Sequence, residues 1–184
     1  MKIRLLVLSI VMAAGCHTVA NPFVHQKPDP GSVPTDALKT VALAIEQAVE
    51  KGDRDAIVAD QGGIVVSDEI VRQAIRTRAI RSVLVTQMRA SEFACEKRNG
   101  MLYILRSAKY KQATSSKDRD RDAGIVMSEN NDRWTLYEGI AKSSKLPSRS
   151  LSAIEQAFFD ARVQCMREGQ TYEDASGALV PKGH

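Results

Sequence analysis

Apolar residues recur at helical spacing after the proline-rich N-terminal stretch. Intervals of three or four residues place them on one side of a helix. The members of this set are Leu38, Val41, Ala42, Ile45, Ala48 and Val49. The pattern predicts a helix that begins at Thr35 or Asp36, with an acidic N-cap candidate, and ends at Gly52.

A second and longer helix is predicted over about 68–93, with Ser67 as its cap. Its apolar residues cover more than one face, which favours a position near the centre of a bundle. Three of its arginines, Arg78, Arg81 and Arg89, follow one stripe. Because a planar guanidinium group matches phosphate oxygens, the stripe is a candidate surface for lipid phosphates or an acidic partner. The alternative is a solvated face of helix-compatible arginines.

The middle of the chain changes from helical periodicity to short apolar segments and polar runs. The Asn99-Gly100 turn precedes residues 101–105, which favour a strand or an extended segment. Residues 109–122 have mixed charges and no apolar period after the first tyrosine. They are expected to form a mobile connection or a solvated helix end.

Two more helices are predicted in the C-terminal third. One opens at Ser128, and the last runs over about 150–168 with Ser152 and Glu155 spaced as a capping box. The tail, residues 170–182, is expected to form a small hairpin or to lie across the bundle. The predicted fold class is therefore mainly α, a small helical bundle with a short β hairpin or extended segments.

The first sixteen residues determine the predicted compartment. Two basic residues precede an apolar run that is shorter than the about 20 residues needed to cross a bilayer, which is typical of a secretory signal peptide over residues 1–15. Small residues at 13–15 precede Cys16 as in a bacterial lipobox, so Cys16 is predicted to be lipidated. The alternative is cleavage after Ala20, which would release a soluble periplasmic protein.

Residues 16–35 are rich in proline, without an apolar period, and are predicted to tether a single α-rich domain over residues 36–184. Aromatic content of 5% against 43% hydrophobic residues favours helices over a sheet sandwich. The formal net charge is +4, of which the signal peptide supplies two units, so charge gives no support for nucleic-acid binding. His17, rather than Asp, after Cys16 indicates the periplasmic face of the outer membrane.

The number and positions of the cysteines and histidines limit the redox and metal chemistry that the sequence predicts. With Cys16 lipidated, Cys95 and Cys165 remain as an even pair in a compartment that permits disulfides. The two interpretations are a Cys95–Cys165 bridge and two unpaired buried thiols. No CxxC or HExxH spacing occurs, and the three histidines all lie in predicted tails. Neither a metal site nor a cofactor is predicted.

Catalytic chemistry has little support in the sequence. The predicted folded region lacks a histidine that could activate a serine or cysteine nucleophile. Its acidic residues occur in helical contexts that explain them as caps or surface charges. The candidate carboxylates are Glu129, Asp132, Glu138, Asp160 and Glu168. An enzyme is not predicted, and the alternative is a carboxylate-based hydrolase of cell wall or lipid.

Four short motifs resemble one bacterial family. They are Glu96-x-x-Asn99-Gly100-x-Leu102, Glu129-Asn130-x-Asp132-Arg133-x-x-Leu136-Tyr137-x-x-Ile140-Ala141, Phe159-x-Ala161-Arg162, and Gly169-Gln170-x-Tyr172 with Gly177-x-x-Val180-x-Lys182. Together they resemble the YdbL-like periplasmic proteins and lipoproteins, with a family-like module over residues 128–182. Leu179 departs from the aromatic residue common in that family, and residues 36–93 are not covered.

The resemblance implies no catalytic residues, because the family has no established enzymatic activity. Some members are encoded beside AsmA-like envelope proteins thought to move phospholipid, which implies an accessory role beside such a partner. The leading hypothesis is therefore a non-enzymatic, lipid-anchored adaptor in the bacterial envelope. Candidate partner contacts are Arg133, Trp134, Tyr137 and Tyr172, for which packing in the core is the alternative.

Overall fold

The computed structural model describes residues 33–183, which form five α-helices and one four-stranded sheet. The helices are α1 (Thr35–Lys51), α2 (Glu69–Ala90), α3 (Ala108–Ala113), α4 (Ser116–Ser143) and α5 (Leu151–Cys165). The strands are β1 (Ala94–Glu96), β2 (Leu102–Ile104), β3 (Thr171–Glu173) and β4 (Leu179–Pro181). The predicted mainly α fold with a short β element is confirmed. The signal peptide, Cys16 and nearly all of the tether lie outside the described residues.

Helices α1 and α2 lie close to their predicted positions, but their caps differ. Gly52 ends α1 with φ 71°, the left-handed conformation that glycine adopts without strain. The acidic N-cap expected for α1 is wrong, since Pro34 precedes the helix and no side chain caps it. Asp68, rather than Ser67, caps α2 by accepting a hydrogen bond from the Ile70 backbone amide at 2.9 Å.

Helix α4 begins about twelve residues before its predicted start, so most of the segment 109–122 is helical rather than a mobile connection. Ser115 and Asp118 form a capping box there, each accepting a hydrogen bond from the other's backbone amide. This cap and the charges of the first turns stabilise a helix start that lacks an apolar period. The capping box expected at Ser152 is wrong, because a 3₁₀ turn over Ser148–Ser150 leads into α5 without a side-chain cap.

The sheet joins two hairpins that are distant in sequence. Its strand order is β2-β1-β3-β4, with β1–β2 and β3–β4 antiparallel and β1–β3 parallel. The first hairpin contains the predicted Asn99-Gly100 turn, and the second confirms the hairpin alternative for the tail. The parallel pairing sets Glu96 opposite Tyr172, at the centre of the sheet.

Two apolar clusters fill the interior. The larger joins α1, α5, the first half of α2 and the second half of α4, around Ile45, Leu136 and Phe158. The smaller joins the end of α2, the first hairpin and the middle of α4, around Met88 and Leu102. Along α2 and α4, the turns between the two clusters carry charged residues. Within residues 33–183, none of the helices combines the length and apolar character that a membrane span requires.

Candidate functional site

The arginine stripe predicted on α2 points into the protein. Arg78 and Arg89 are buried, and the Arg81 side chain is only 17% exposed. Their ion-pair partners are Glu46 and Glu129 for Arg78, Glu129 and Asp132 for Arg81, and Glu50 and Glu96 for Arg89. The expected phosphate-binding surface is therefore wrong, and so is the solvated face, because carboxylates already occupy these guanidinium groups.

Arg78 and Arg89 belong to a set of seven charged residues, here called the buried ion network. Its members are Glu46 of α1, Arg78 and Arg89 of α2, Glu96 of β1, Glu129 and Arg133 of α4, and Arg162 of α5. None of them is more than 4% exposed. The network therefore links four helices and the sheet through interactions that water does not screen.

Two bidentate pairs form the centre of this network. Arg78 donates from both Nη atoms to Glu46, at 3.0 and 2.9 Å, and from Nε to Glu129 at 2.9 Å. Arg133 donates from both Nη atoms to Glu96, at 2.7 and 3.0 Å, and from Nε to the same Glu129 oxygen at 2.9 Å. Paired N–H donors match the geometry of a carboxylate, which makes such contacts strong and directional.

The carbonyl oxygen of Gly100 completes the network. It accepts hydrogen bonds from Tyr137 Oη at 3.0 Å, Arg162 Nη2 at 3.0 Å and Arg133 Nη1 at 3.3 Å. Gly100 has φ 79°, and a Cβ atom there would approach the Tyr137 ring to 3.2 Å. Glycine at this position therefore allows both the positive φ of the turn and the close approach of the backbone to these donors.

The arginines keep the buried carboxyl groups ionised. Burial would raise the pKa of Glu96, but the charges of Arg133 and Arg162 outweigh it and lower the pKa to about 2. The pKa values of Glu46 and Glu129 are also lowered, because neighbouring arginine charges outweigh the same effect of burial. A carboxyl group with so low a pKa carries no proton at neutral pH, so Glu129 is a poor general acid.

The network leaves little space for a ligand. A void of about 10 Å³ lies among its side chains, enough for roughly one water molecule. Arg89 Nε is buried and has no hydrogen-bond partner within the described part of the chain. The arrangement therefore serves to hold the elements together, and a substrate does not fit inside it.

The four predicted partner contacts separate into two groups. Arg133 and Tyr137 are buried, at 1% and 0% exposure, so their assignment as partner contacts is wrong. Their polar groups are needed inside, on Glu96, Glu129 and the Gly100 carbonyl. Trp134 is 40% exposed on α4. Tyr172 is half-buried in β3, with its ring 6.4 Å from that of Phe159.

Exposed apolar side chains are concentrated on the outer sides of α2 and α4. On α2, Ile80, Val83 and Leu84 are 54%, 62% and 45% exposed. Their spacing of three and four residues places them side by side on one face. On α4, Met127 and Trp134 lie seven residues apart, or about two turns, and are 64% and 40% exposed. Helix α2 thus presents an apolar strip to solvent, whereas on α4 Asn130 and Asn131 separate the two apolar side chains.

The structure also describes the two predicted cysteines and two of the candidate carboxylates. Cys95 and Cys165 are free thiols, so the unpaired interpretation holds and the bridge is wrong. Burial raises the pKa of both thiols, that of Cys95 to about 11, which leaves them largely protonated at neutral pH. Asp132 pairs with Arg81, and Asp160 accepts a hydrogen bond from Gln156. Among residues 33–183, no group of acidic, cysteine and histidine side chains could hold a metal ion.

The ion network was missed because charged helical residues were assigned to the surface. A signal was nevertheless present in the sequence. Glu46 lies on the apolar face of α1, between Ala42 four residues before it and Val49 three residues after it. Arg162 similarly follows Phe158 by four residues on the apolar face of α5. Charges of opposite sign on two buried faces predict an internal ion pair.

Comparisons with family models, curated proteins and solved structures find no match to this chain.

Proposed function

We propose that this chain is a non-enzymatic adaptor, anchored by lipid at Cys16 in the bacterial envelope. The observation that carries the proposal is the apolar strip of Ile80, Val83 and Leu84 on the outer face of α2. Contiguous exposed apolar residues favour contact with another protein, because association removes their surface from water. Trp134 and Met127 on α4 are further exposed apolar side chains.

The chemistry of the carboxylates supports an adaptor rather than a hydrolase. A carboxylate hydrolase needs one acid with a raised pKa and a second carboxylate across a cleft. Glu129 has the opposite property, since its pKa is lowered by Arg78 and Arg133 despite its burial. Asp132 is held by Arg81 at 2.8 Å.

The anchor explains how such a surface would be used. With Cys16 lipidated, an extended tether over residues 17–32, at about 3.1 Å per residue, would let the helical domain stand up to roughly 50 Å from the membrane. The fitting partner is a membrane-bound envelope protein, which the domain could reach across the periplasm. The YdbL-like resemblance makes an AsmA-like lipid-transport protein our specific candidate for that partner.

Site-specific photo-crosslinking in intact cells tests the proposal. A photoreactive residue replaces Val83 in the α2 strip or Trp134 on α4 and, as the matched control, Ile57, which is 93% exposed in the loop after α1. We expect Val83 or Trp134 to form a cross-link to one envelope protein of AsmA-like sequence, and Ile57 to form none. Cross-links of equal intensity from all three positions, or from none, would refute the adaptor.

Mass spectrometry of the mature N-terminus tests the anchor separately. We expect a diacylglyceryl group on Cys16, and expect Cys16→Ala to release the protein from the membrane fraction. A mature N-terminus at Asn21 would refute the anchor, while leaving the cross-linking result to decide the adaptor.

A further inference from the structure

A cavity of about 500 Å³ opens to solvent between β2, α3 and the first turns of α4. This volume lies in the range of small-molecule sites, about 300–1,000 Å³. Its apolar lining comes from Ile104, Tyr110 and Ala123. The Tyr110 hydroxyl donates to Asp122 at 3.2 Å, and its ring packs edge-on against Phe93 with centroids 5.1 Å apart. The apolar wall is therefore fixed by the surrounding structure.

Three cations and one anion line the same cavity. They are Arg106, Lys111, Arg119 and Asp120, which together carry a net charge of two positive units. Arg106 and Lys111 are exposed, and within residues 33–183 neither of them makes an ion pair. These cations differ from those of the buried ion network, whose charges are all opposed by carboxylates. A cavity with uncompensated positive charge attracts anions.

Arg119 is oriented by the backbone at the start of α4. Its Nη1 atom donates to the carbonyl oxygen of Thr114 at 2.5 Å, immediately before the Ser115 cap. Its Nε and Nη2 groups have no acceptor in the part of the chain that the structure describes. A guanidinium group held by one bond retains donors for a ligand at low entropic cost.

We propose that this cavity binds a ligand with a phosphate group on an apolar body. Arg119, Arg106 and Lys111 would bind the phosphate, and the accessible apolar wall of Ile104 and Ala123 would contact the body. A phosphate monoester carries about −1.5 to −2 charges at neutral pH, which balances the net charge of the lining, whereas a carboxylate would balance only half of it. None of the adaptor residues lines this cavity, so the proposal does not depend on the anchor or the partner.

Binding measurements on the full chain carrying Cys16→Ala test this site without the lipid attachment point. Phenyl phosphate, a phosphate monoester on an apolar body, is the soluble probe, measured by calorimetry. Vesicles of phosphatidylcholine mixed with phosphatidic acid are the lipid probe, measured by co-sedimentation against pure phosphatidylcholine. Saturable binding of the soluble probe supports a free phosphorylated ligand, and binding of the mixed vesicles alone supports a lipid headgroup.

Charge reversal identifies the residues responsible. The double variant Arg106→Glu, Lys111→Glu should weaken binding of the active probe at least about tenfold, because it removes two charge-assisted contacts. The control Lys39→Glu, Arg54→Glu changes the net charge equally at exposed positions on α1 and the following loop. It should bind like the parent chain, and Asp120→Asn should bind more tightly.

Two results would overturn the phosphate site. The first is the absence of saturable binding to both probes by the parent chain. The second is equal weakening by both double variants, which would indicate a general effect of net charge. Each variant should have the same thermal unfolding temperature as the parent chain. Equal unfolding temperatures ensure that the binding measurements compare folded proteins.

Discussion

The buried ion network and the cationic cavity both contain arginine, but the side chains have different roles in the two regions. In the network, Arg78, Arg133 and Arg162 donate from Nε and both Nη atoms to protein oxygens. In the cavity, Arg106 has no ion pair among the described residues, and Arg119 uses a single donor. The difference shows that burial and partner count, rather than the presence of arginine, separate a stabilising site from a binding site.

The cost of burial explains the contrast. Moving an ion out of water costs several kcal/mol, and a carboxylate in good geometry is required to offset it. Glu96 supplies such geometry, accepting four hydrogen bonds from Arg89, Arg133 and Arg162. An exposed cation such as Lys111 keeps its water and needs no partner in the protein. It is therefore free to exchange that water for a ligand.

Glu96→Gln should produce the largest effect. The amide cannot neutralise Arg89, Arg133 and Arg162, so we expect a loss of about 3–5 kcal/mol in the free energy of unfolding. Arg106→Gln is the matched control in the cavity and should change that free energy by less than about 0.5 kcal/mol. Urea denaturation measures both. Equal losses of unfolding free energy in the two variants would contradict the distinction between the buried ion network and the cavity.

Acidification should remove stability through the same glutamate. The pKa of Glu96 is about 2 in the folded protein, against an ordinary value of 4.5. Its contribution is therefore present above pH 4.5 and is lost as the pH falls through about 2. It amounts to about 3 kcal/mol, since each pH unit between the two values is worth about 1.4 kcal/mol. Glu46 and Glu129, whose pKa values are also lowered, act in the same direction.

Denaturation between pH 7 and pH 2 measures this dependence. The Glu96→Gln variant should lose less stability over that interval than the parent chain, because the titrating carboxyl group is missing. Parallel curves for the two proteins would show that Glu96 does not contribute to acid sensitivity.

Gly100→Ala should have a smaller effect, about 2 kcal/mol, for two separate reasons. Both Gly100 and Gly177 have positive φ, at 79° and 84°, so alanine strains the backbone at either position by about 1 kcal/mol. Only at Gly100 does the added Cβ also approach Tyr137, whereas at Gly177 nothing lies within 4 Å. The loss of thermal stability should therefore be greater for Gly100→Ala than for Gly177→Ala. The opposite order would mean that the Gly100 carbonyl is not held tightly among its donors.

Sequence periodicity was sufficient for elements whose buried faces are apolar. Helix α1 has an apolar stripe, interrupted by Glu46, and a glycine at its end, and the stripe and the glycine predict its bounds. The first half of α4 was missed, because its stability comes from the Ser115 cap and from Tyr110 and Asp122, which contact each other across two helices. Such contacts join residues twelve positions apart and leave no regular spacing in the sequence.

The sites were harder to predict than the fold. The sequence indicates that the guanidinium group of Arg78 could bind a phosphate. It does not reveal the actual ion-pair partners, Glu46 and Glu129, because they lie 32 and 51 residues away. Only the packing of α1 and α4 against α2 brings them together. The cavity at Arg119 was likewise hidden, because it forms where β2, α3 and α4 converge.

The Arg162–Glu46 contact has a consequence for how the chain folds. The two residues are 116 positions apart, and the contact forms only when the last helix packs on the first. Until then, burial of Glu46 or Glu96 would leave these carboxylates without Arg162 as a partner, at an energetic cost. Partly assembled forms that lack α5 are thereby disfavoured. The ion network thus links segments that are distant in the sequence, which favours their assembly as one cooperative unit.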